Sequence, residues 1–191
     1  MGLKKIVVIG PESTGKSTLC SQLSEHYQTL WCPEYAREYL ETHGTYYTYD
    51  DLLTIAKGQI DLEEAQLSVA SCQLPENRRS DSQLTTDNSL FFIDTDMYVM
   101  KVWSEFVFNK CHSWILNQIA TRKYDLYLLC NVDLPWIKDK LREYPDLQTR
   151  NKLYHYYKDV MINQPVPWVE ISGNYKERLK AAINSVDELI K

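Results

Sequence analysis

The 191-residue chain contains no basic run longer than a pair such as Lys4-Lys5 or Arg78-Arg79. With a net charge of −5, that excludes a nucleic-acid scaffold that tracks phosphates along a basic stripe. Uninterrupted apolar runs stop after a few residues, too short for a membrane span. Gly10 and Pro11 cut the first of them before it reaches the length of a signal-peptide core. The five cysteines (Cys20, Cys32, Cys72, Cys111 and Cys130) are odd in number and form no C-x-x-C pair. They exclude a disulfide frame and a zinc site and fit reduced, mostly buried thiols in the cytoplasm. His26, His43, His112 and His155 are dispersed without metal-ligand spacing. No repeat, low-complexity tract or Pro/Gly-rich linker divides the chain, so one domain over residues 1–191 is expected. An apolar share of 44% beside 25% charged residues is the balance of a soluble globular protein and excludes wholesale disorder.

What is present begins with IVVIGPESTGKST, Ile6 to Thr18. Ile6, Val7, Val8 and Ile9 read as a short buried strand, and Gly10 to Ser17 fits the G-x-x-x-x-G-K-[ST] phosphate loop without a mismatch. Gly10 and Gly15 let the backbone curl so that successive N–H groups face an anion. The helix opening at Lys16 adds its N-terminal partial charge. Gly10, Glu12, Ser13, Thr14, Gly15, Lys16, Ser17 and Thr18 are therefore the expected nucleotide contacts. Lys16 would reach the β- and γ-phosphates, and Ser17 would offer its hydroxyl to Mg²⁺. The competing reading is a plain glycine turn with a solvated lysine.

Short β-like runs alternate with helical stretches. Leu19, Leu23 and Tyr27 recur at four-residue spacing. Residues 30–34 read as a second strand or its exit, and Asp51 as the cap of a helix running to about Gln73. Ser89 to Asp96 reads as a strand with an acidic exit. Residues 97–121 read as amphipathic helix with a break near Asn109. Tyr124 to Cys130 and Pro165 to Ser172 are further strands, and Lys176 to Lys191 a closing helix. The alternation predicts a P-loop NTPase fold of three layers, α/β/α, around a central parallel sheet. The loop would lie at the carboxyl edge, where such folds bind ligands.

Four apolar or aromatic positions ending in Asp94 form the strand a P-loop protein uses to hold Mg²⁺ beside Ser17. Asp96, two residues on, either joins Asp94 toward substrate or caps the next helix. In PEYAREYLE, Glu34, Arg37 and Glu38 share one helical face. They read as an exposed salt-bridged turn, or as a carboxylate and a guanidinium serving a hydroxyl acceptor. HGTYYTYDD, His43 to Asp51, fits either a ring-stacking platform or a tyrosine-rich surface lid. Residues 132–151 carry Arg142 and Arg150 between the breakers Pro135 and Pro145. They predict a helical lid that closes arginines onto phosphates, with a solvated helical hairpin as the alternative.

In this order, GPESTGKSTL, PEYAREYLE, AKGQIDLEE, FFIDTD and DLYLLCNVDLPWIKDKLR resemble the ribosylnicotinamide kinase domain of NadR-type proteins. That branch of the P-loop nucleoside and nucleotide kinases is grouped with AAA-type ATP-binding proteins, and the resemblance covers nearly the whole chain. It implies ATP-dependent phosphorylation of the ribose 5′-hydroxyl of nicotinamide riboside with Mg²⁺, GTP being the second candidate nucleotide. It implies catalytic roles for Lys16, Glu34, Asp94 and Arg142, with Asp94 or Glu34 acting on the hydroxyl. Ser17 and Asp94 would serve the metal, and Arg142 and Arg150 the nucleotide. Glu34, Tyr35, Arg37, Glu38, Gln59, Asp96 and Trp136 would surround the acceptor, with aromatic rings clamping the base. The partner is then a small nucleoside-like molecule, neither nucleic acid nor membrane, and a homo-oligomer is compatible with the chain.

Two departures stand out. No H-x-G-H-type motif of the adenylyltransferase found in full-length NadR-type proteins is present, and Lys140 replaces the glycine usual beside the lid aspartate. Another nucleoside or a nucleoside monophosphate is therefore the alternative acceptor. The alternative of another class is an ATP- or GTP-binding regulatory switch; its guanine-reading form would need N-K-x-D, and CNVDLPW, the nearest stretch, has Val132 in place of the lysine.

Overall fold

The computed structural model describes residues 2–72 and 90–191. Its order is β1 (Lys4–Ile9), α1 (Lys16–Tyr27), β2 (Trp31–Cys32), α2 (Tyr35–His43), α3 (Tyr49–Cys72), β3 (Leu90–Asp94), α4 (Met97–Phe108), α5 (Ser113–Thr121), β4 (Leu126–Cys130), α6 (Leu147–Ile162), β5 (Trp168–Ile171) and α7 (Tyr175–Leu189). The sheet runs β2-β3-β1-β4-β5, and every pairing is parallel. The expected parallel α/β/α architecture of a P-loop NTPase is present.

Residues that alternate along a strand point to opposite faces, and here both faces are covered. Ile6 and Val8 pack with Leu19, Leu23, Ala182 and Val186 of α1 and α7. Val7 and Ile9 pack with Val99, Val102, Leu153 and Tyr157 of α4 and α6. All four β1 side chains are fully buried, each worth about 1.5–3 kcal/mol relative to exposure. A third core, built from Leu40, Ile55, Met97, Met100 and Ile115, joins α2 through α5.

Register places the site. Val8 pairs with Asp94 and Ile9 with Leu129, so the chain leaves β1, β3 and β4 side by side at one edge. With β1 central, β3 on one flank and β4 on the other, the crevice forms where the strand order switches direction.

Local differences from the sequence reading have local causes. β2 is only two residues long, because Pro33 has no N–H to continue the ladder. α3 starts at Tyr49 rather than at Asp51, since Thr48 and Asp51 exchange bonds as a capping box (Asp51 Oδ2 to Thr48 N 2.7 Å, Thr48 Oγ1 to Asp51 N 3.3 Å). The break at Asn109 is real, with φ 54°. The segment expected as a helical lid is irregular from 131 to 146 and helical only from Leu147, where Asp146 caps α6. Pro135 and Pro145 bar continuous helix there. Gln73, Arg78, Arg79 and Ser89 lie outside the described residues. Among those described, no helix is long and apolar enough to cross a membrane, and Cys20, Cys32, Cys111 and Cys130 are free thiols.

Candidate active site

The phosphate loop is held by backbone geometry. Gly10 has φ 141°, and a Cβ there would sit 2.7 Å from the Cys130 carbonyl oxygen. Gly15 has φ 79° and Ser13 φ 57°, the left-handed turns that aim consecutive amides inward. Thr14 Oγ1 donates to Pro11 O at 2.7 Å, and the buried Lys16 ammonium donates to the same carbonyl at 3.2 Å. The lysine thus folds over its own loop, with a backbone carbonyl as its partner.

Behind the loop, Ser17 Oγ donates to Asp94 Oδ2 at 2.5 Å. Asp94 is fully buried. Burial, then the nearby Glu34 charge, raises its pKa to about 6 against the opposing pull of Lys16. Next to it Thr95 holds φ 78°, a strained conformation for a β-branched residue. Its hydroxyl lies 3.4 Å from both Glu34 Oε1 and Asp94 Oδ1. Glu34 is the N-cap residue of α2, with no side-chain cap bond. Two carboxylates and two hydroxyls thus converge from three segments.

The cleft above encloses about 1130 Å³, counted out to open solvent, and runs from the loop past Glu34 and Arg37 to Val99, Trp103, Phe106 and Tyr157. Residues 131–146 form one wall, and several bonds fasten it. Glu12 accepts the amides of Glu143 (3.1 Å) and Tyr144 (2.5 Å), and burial raises the Glu12 pKa despite those bonds. Arg37 meets Asp139 at 3.2 Å. Tyr47 donates to Glu143 at 2.9 Å and receives Trp103 Nε1 at 2.8 Å.

No cluster of three or more His, Cys, Asp or Glu forms a metal cage among the described residues. Mg²⁺ fits a different pattern: one or two carboxylates, a hydroxyl, and oxygens lent by water and phosphate. Ser17 Oγ and the adjoining Asp94 carboxylate, whose charge is buried at a cost, supply that donor set.

The sequence candidates divide by position. Gly10, Glu12, Ser13, Thr14, Gly15, Lys16, Ser17, Thr18, Glu34, Arg37 and Arg142 line the cleft, with Asp94 directly beneath Ser17. Tyr35, Glu38, Gln59, Asp96, Trp136 and Arg150 are not in its lining. Glu38 is exposed, because the step from Arg37 to the next residue of α2 rotates it about 100° around the helix. Gln59 is 1% exposed and tied to the β2–α2 turn. Trp136 lies between Arg142 and Arg150, whose guanidinium carbons are 5.9 and 5.5 Å from its ring. It supports those arginines rather than facing the cleft. Arg150 bonds Ser13 O at 3.3 Å and Leu134 O at 3.4 Å, with its Nε buried and unpartnered. In the tyrosine-rich stretch Tyr47 braces the wall, Tyr46 is fully exposed and Tyr49 stacks on His112.

Asp96 caps α4 by accepting from Tyr98 N and Val99 N, and it receives the Tyr127 hydroxyl at 2.8 Å. Burial raises its pKa to about 7. A carboxylate with a raised folded-state pKa contributes stability below its unfolded value, near 4, and loses it as pH rises through 7. Asp96→Asn keeps an acceptor for the helix and is expected to remove about 2–3 kcal/mol of the stability difference between pH 5 and pH 8. Urea unfolding of both proteins at the two pH values measures it, and an unchanged difference contradicts the assignment.

Sequence reading missed Arg178. It is 2% exposed and donates to Gly173 O, Thr14 O and Asn131 O, each at 2.8 Å, and to Asp133 Oδ1. One guanidinium thereby joins the phosphate loop to the exits of β4 and β5. Arg178→Ala is expected to cost about 3 kcal/mol in denaturant unfolding, with Arg178→Lys recovering only part, since an ammonium lacks the fork.

Residues 5–178 match the family AAA_28, described as an AAA domain. The chain belongs to that family. This AAA domain is 22% identical over 98% of its length to the trifunctional NAD biosynthesis/regulator protein NadR of Escherichia coli strain K12, covering 43% of that protein. It superposes on a solved NadR protein in complex with NR with a TM-score of 0.76 at 24% identity, covering 98% of this chain and 49% of that one. A second NadR structure, in complex with NAD and AMP-PNP, gives 0.70 at 22% identity over the same shares. The chain therefore spans less than half the length of these relatives.

Proposed function

We propose that this AAA domain is an ATP-dependent small-molecule kinase. Its acceptor is the ribose 5′-hydroxyl of a nucleoside, with nicotinamide riboside the leading substrate and its mononucleotide the product. One observation carries the reading: a single cleft joins a complete phosphate loop to an aromatic-walled chamber, and Glu34 stands where the two meet. The NadR complexes with NR and with AMP-PNP support the same two ligand classes on this fold.

The roles follow from position. The amides of residues 10–17 and the Lys16 ammonium bind the phosphates and steady the charge that builds on the transferred group. Ser17 and Asp94 would hold Mg²⁺, which when bound screens that charge. Asp94 is committed to Ser17 and wholly buried, whereas Glu34 lines the cleft, so Glu34 is the group that orients the acceptor hydroxyl and takes its proton. Arg142, 3.4 Å from Ser13 Oγ, supplies a second cation beside the loop. Trp103, Phe106 and Tyr157 offer faces to a flat, cationic ring, with Val99 as apolar lining beside them. The wall of residues 131–146 excludes water, so that transfer to the hydroxyl outruns hydrolysis.

ADP release from Mg-ATP across nicotinamide riboside, the common nucleosides and deoxynucleosides, and their monophosphates tests the reading. A selective rise with nicotinamide riboside is expected. Selectivity for another nucleoside or a monophosphate corrects the acceptor, and a flat panel overturns the kinase assignment.

A further inference from the structure

Glu34 sits at the N-cap of α2, yet its carboxylate makes no cap bond. The first amides of a helix need acceptors all the same. Gln59 Oε1, arriving from α3, accepts from Tyr35 N at 2.7 Å. The same carboxamide donates through Nε2 to Pro33 O at 3.2 Å and to Cys32 Sγ at 3.4 Å. One buried side chain therefore fastens the backbone immediately before and immediately after Glu34. Only a group with both a donor and an acceptor end serves that turn, where a carbonyl and an amide need partners side by side. A carboxylate would leave Pro33 O without its donor, and an aliphatic side chain would leave both unpaired.

A second observation points the same way. A Cβ at Gly58 would lie 2.1 Å from Tyr35 Cε1 and 2.4 Å from Cδ1. The Tyr35 ring fills the space that any side chain at 58 would need. The bare backbone lets α3 approach the start of α2 closely enough for Gln59 to reach the turn.

We propose that Gly58 and Gln59 form a positioning device for Glu34: Gln59 partners the first helical amide from outside, and the Glu34 carboxylate is left free to face Thr95 and Asp94 at the cleft. The device rests on the reading of Glu34 as the base for the acceptor hydroxyl. Gln59 is thus a positioning residue that acts through Glu34 without touching substrate.

Gln59→Leu is expected to lower kcat on the order of 10- to 100-fold, the scale of a reacting group displaced by about an ångström, while KM for ATP stays within about twofold. In a Glu34→Gln background the same change should cost less than about threefold more, because the group it positions is already disabled. The side-chain carboxyl ¹³C resonance of Glu34 should move in Gln59→Leu and, by a smaller amount, in Gly58→Ala, whether or not turnover is measured. The device is overturned by turnover of Gln59→Leu within about twofold of wild type, by a loss undiminished in the Glu34→Gln background, or by a Glu34 resonance that stays put. If the wild-type protein phosphorylates no acceptor, the base reading falls. The carboxyl resonance then decides alone: moved, it sustains the device, and unmoved, it removes it.

Discussion

Glu34→Gln is expected to lower kcat for phosphoryl transfer by about 10²–10⁴-fold while ATP affinity, measured by calorimetry, stays within about twofold of wild type. Glutamine keeps the size of the side chain and its place at the N-cap of α2, so the turn and the third core are undisturbed. It can still receive a hydrogen bond from a hydroxyl, but it takes no proton. The loss should appear in kcat and kcat/KM alike, the mark of an interaction made in the transition state. The nucleotide site is left whole, because Lys16 and Ser17 are held by Pro11 O and by Asp94, contacts that do not involve the Glu34 carboxylate. Full turnover in Glu34→Gln would remove Glu34 from the chemistry and pass the role to Asp94.

Asp94→Asn has two effects of opposite sign. Its carboxyl is raised to about 6 by burial and by Glu34, so its contribution to stability is present below pH 4 and lost as pH climbs through 6. Above that range the metal-free protein carries a buried charge that asparagine lacks. The variant should therefore be more stable than wild type at pH 8 by about 1–3 kcal/mol in chelator-treated protein, and equal to it near pH 4. Turnover should meanwhile fall, and the Mg²⁺ concentration for half-maximal rate rise, on the order of 10- to 100-fold. A site that destabilises its own fold in order to function shows that combination. An Asp94→Asn protein that is less stable at pH 8, or that needs no more Mg²⁺, contradicts it.

Much of this site is legible in one dimension because its chemistry is local. The phosphate loop needs glycines at fixed offsets, and an acidic residue closing a buried strand has few other uses beside it. The parallel sheet follows from strands with unbroken buried apolar runs, as Ile6 to Ile9 make in β1. What escaped reading depends on partners far away in sequence. Arg178 meets Thr14, 164 residues away, and follows a line of helical positions that reads as ordinary amphipathic surface. Its one signal is a cation in the first turn of α7, where the helix dipole disfavours positive charge. Gln59 is expected beside the acceptor, and its bonds to the turn before α2 show only when α2 folds onto it. Thr95 offers no hint of its left-handed backbone, which goes with a bond from its amide into the β1 ladder (Thr95 N to Val8 O 3.3 Å). The irregular wall was foreshadowed by Pro135 and Pro145, whose effect on helix outweighed the helical spacing around them.

One cleft is expected to deliver the γ-phosphoryl of ATP to a nucleoside hydroxyl. Mixing the protein with Mg²⁺, γ-³²P-ATP and nicotinamide riboside in a single turnover, and separating the products, tests it directly. Label on the ribose 5′-oxygen, as the mononucleotide, is the expected result. Label found only in inorganic phosphate, or left in ATP, would contradict the account.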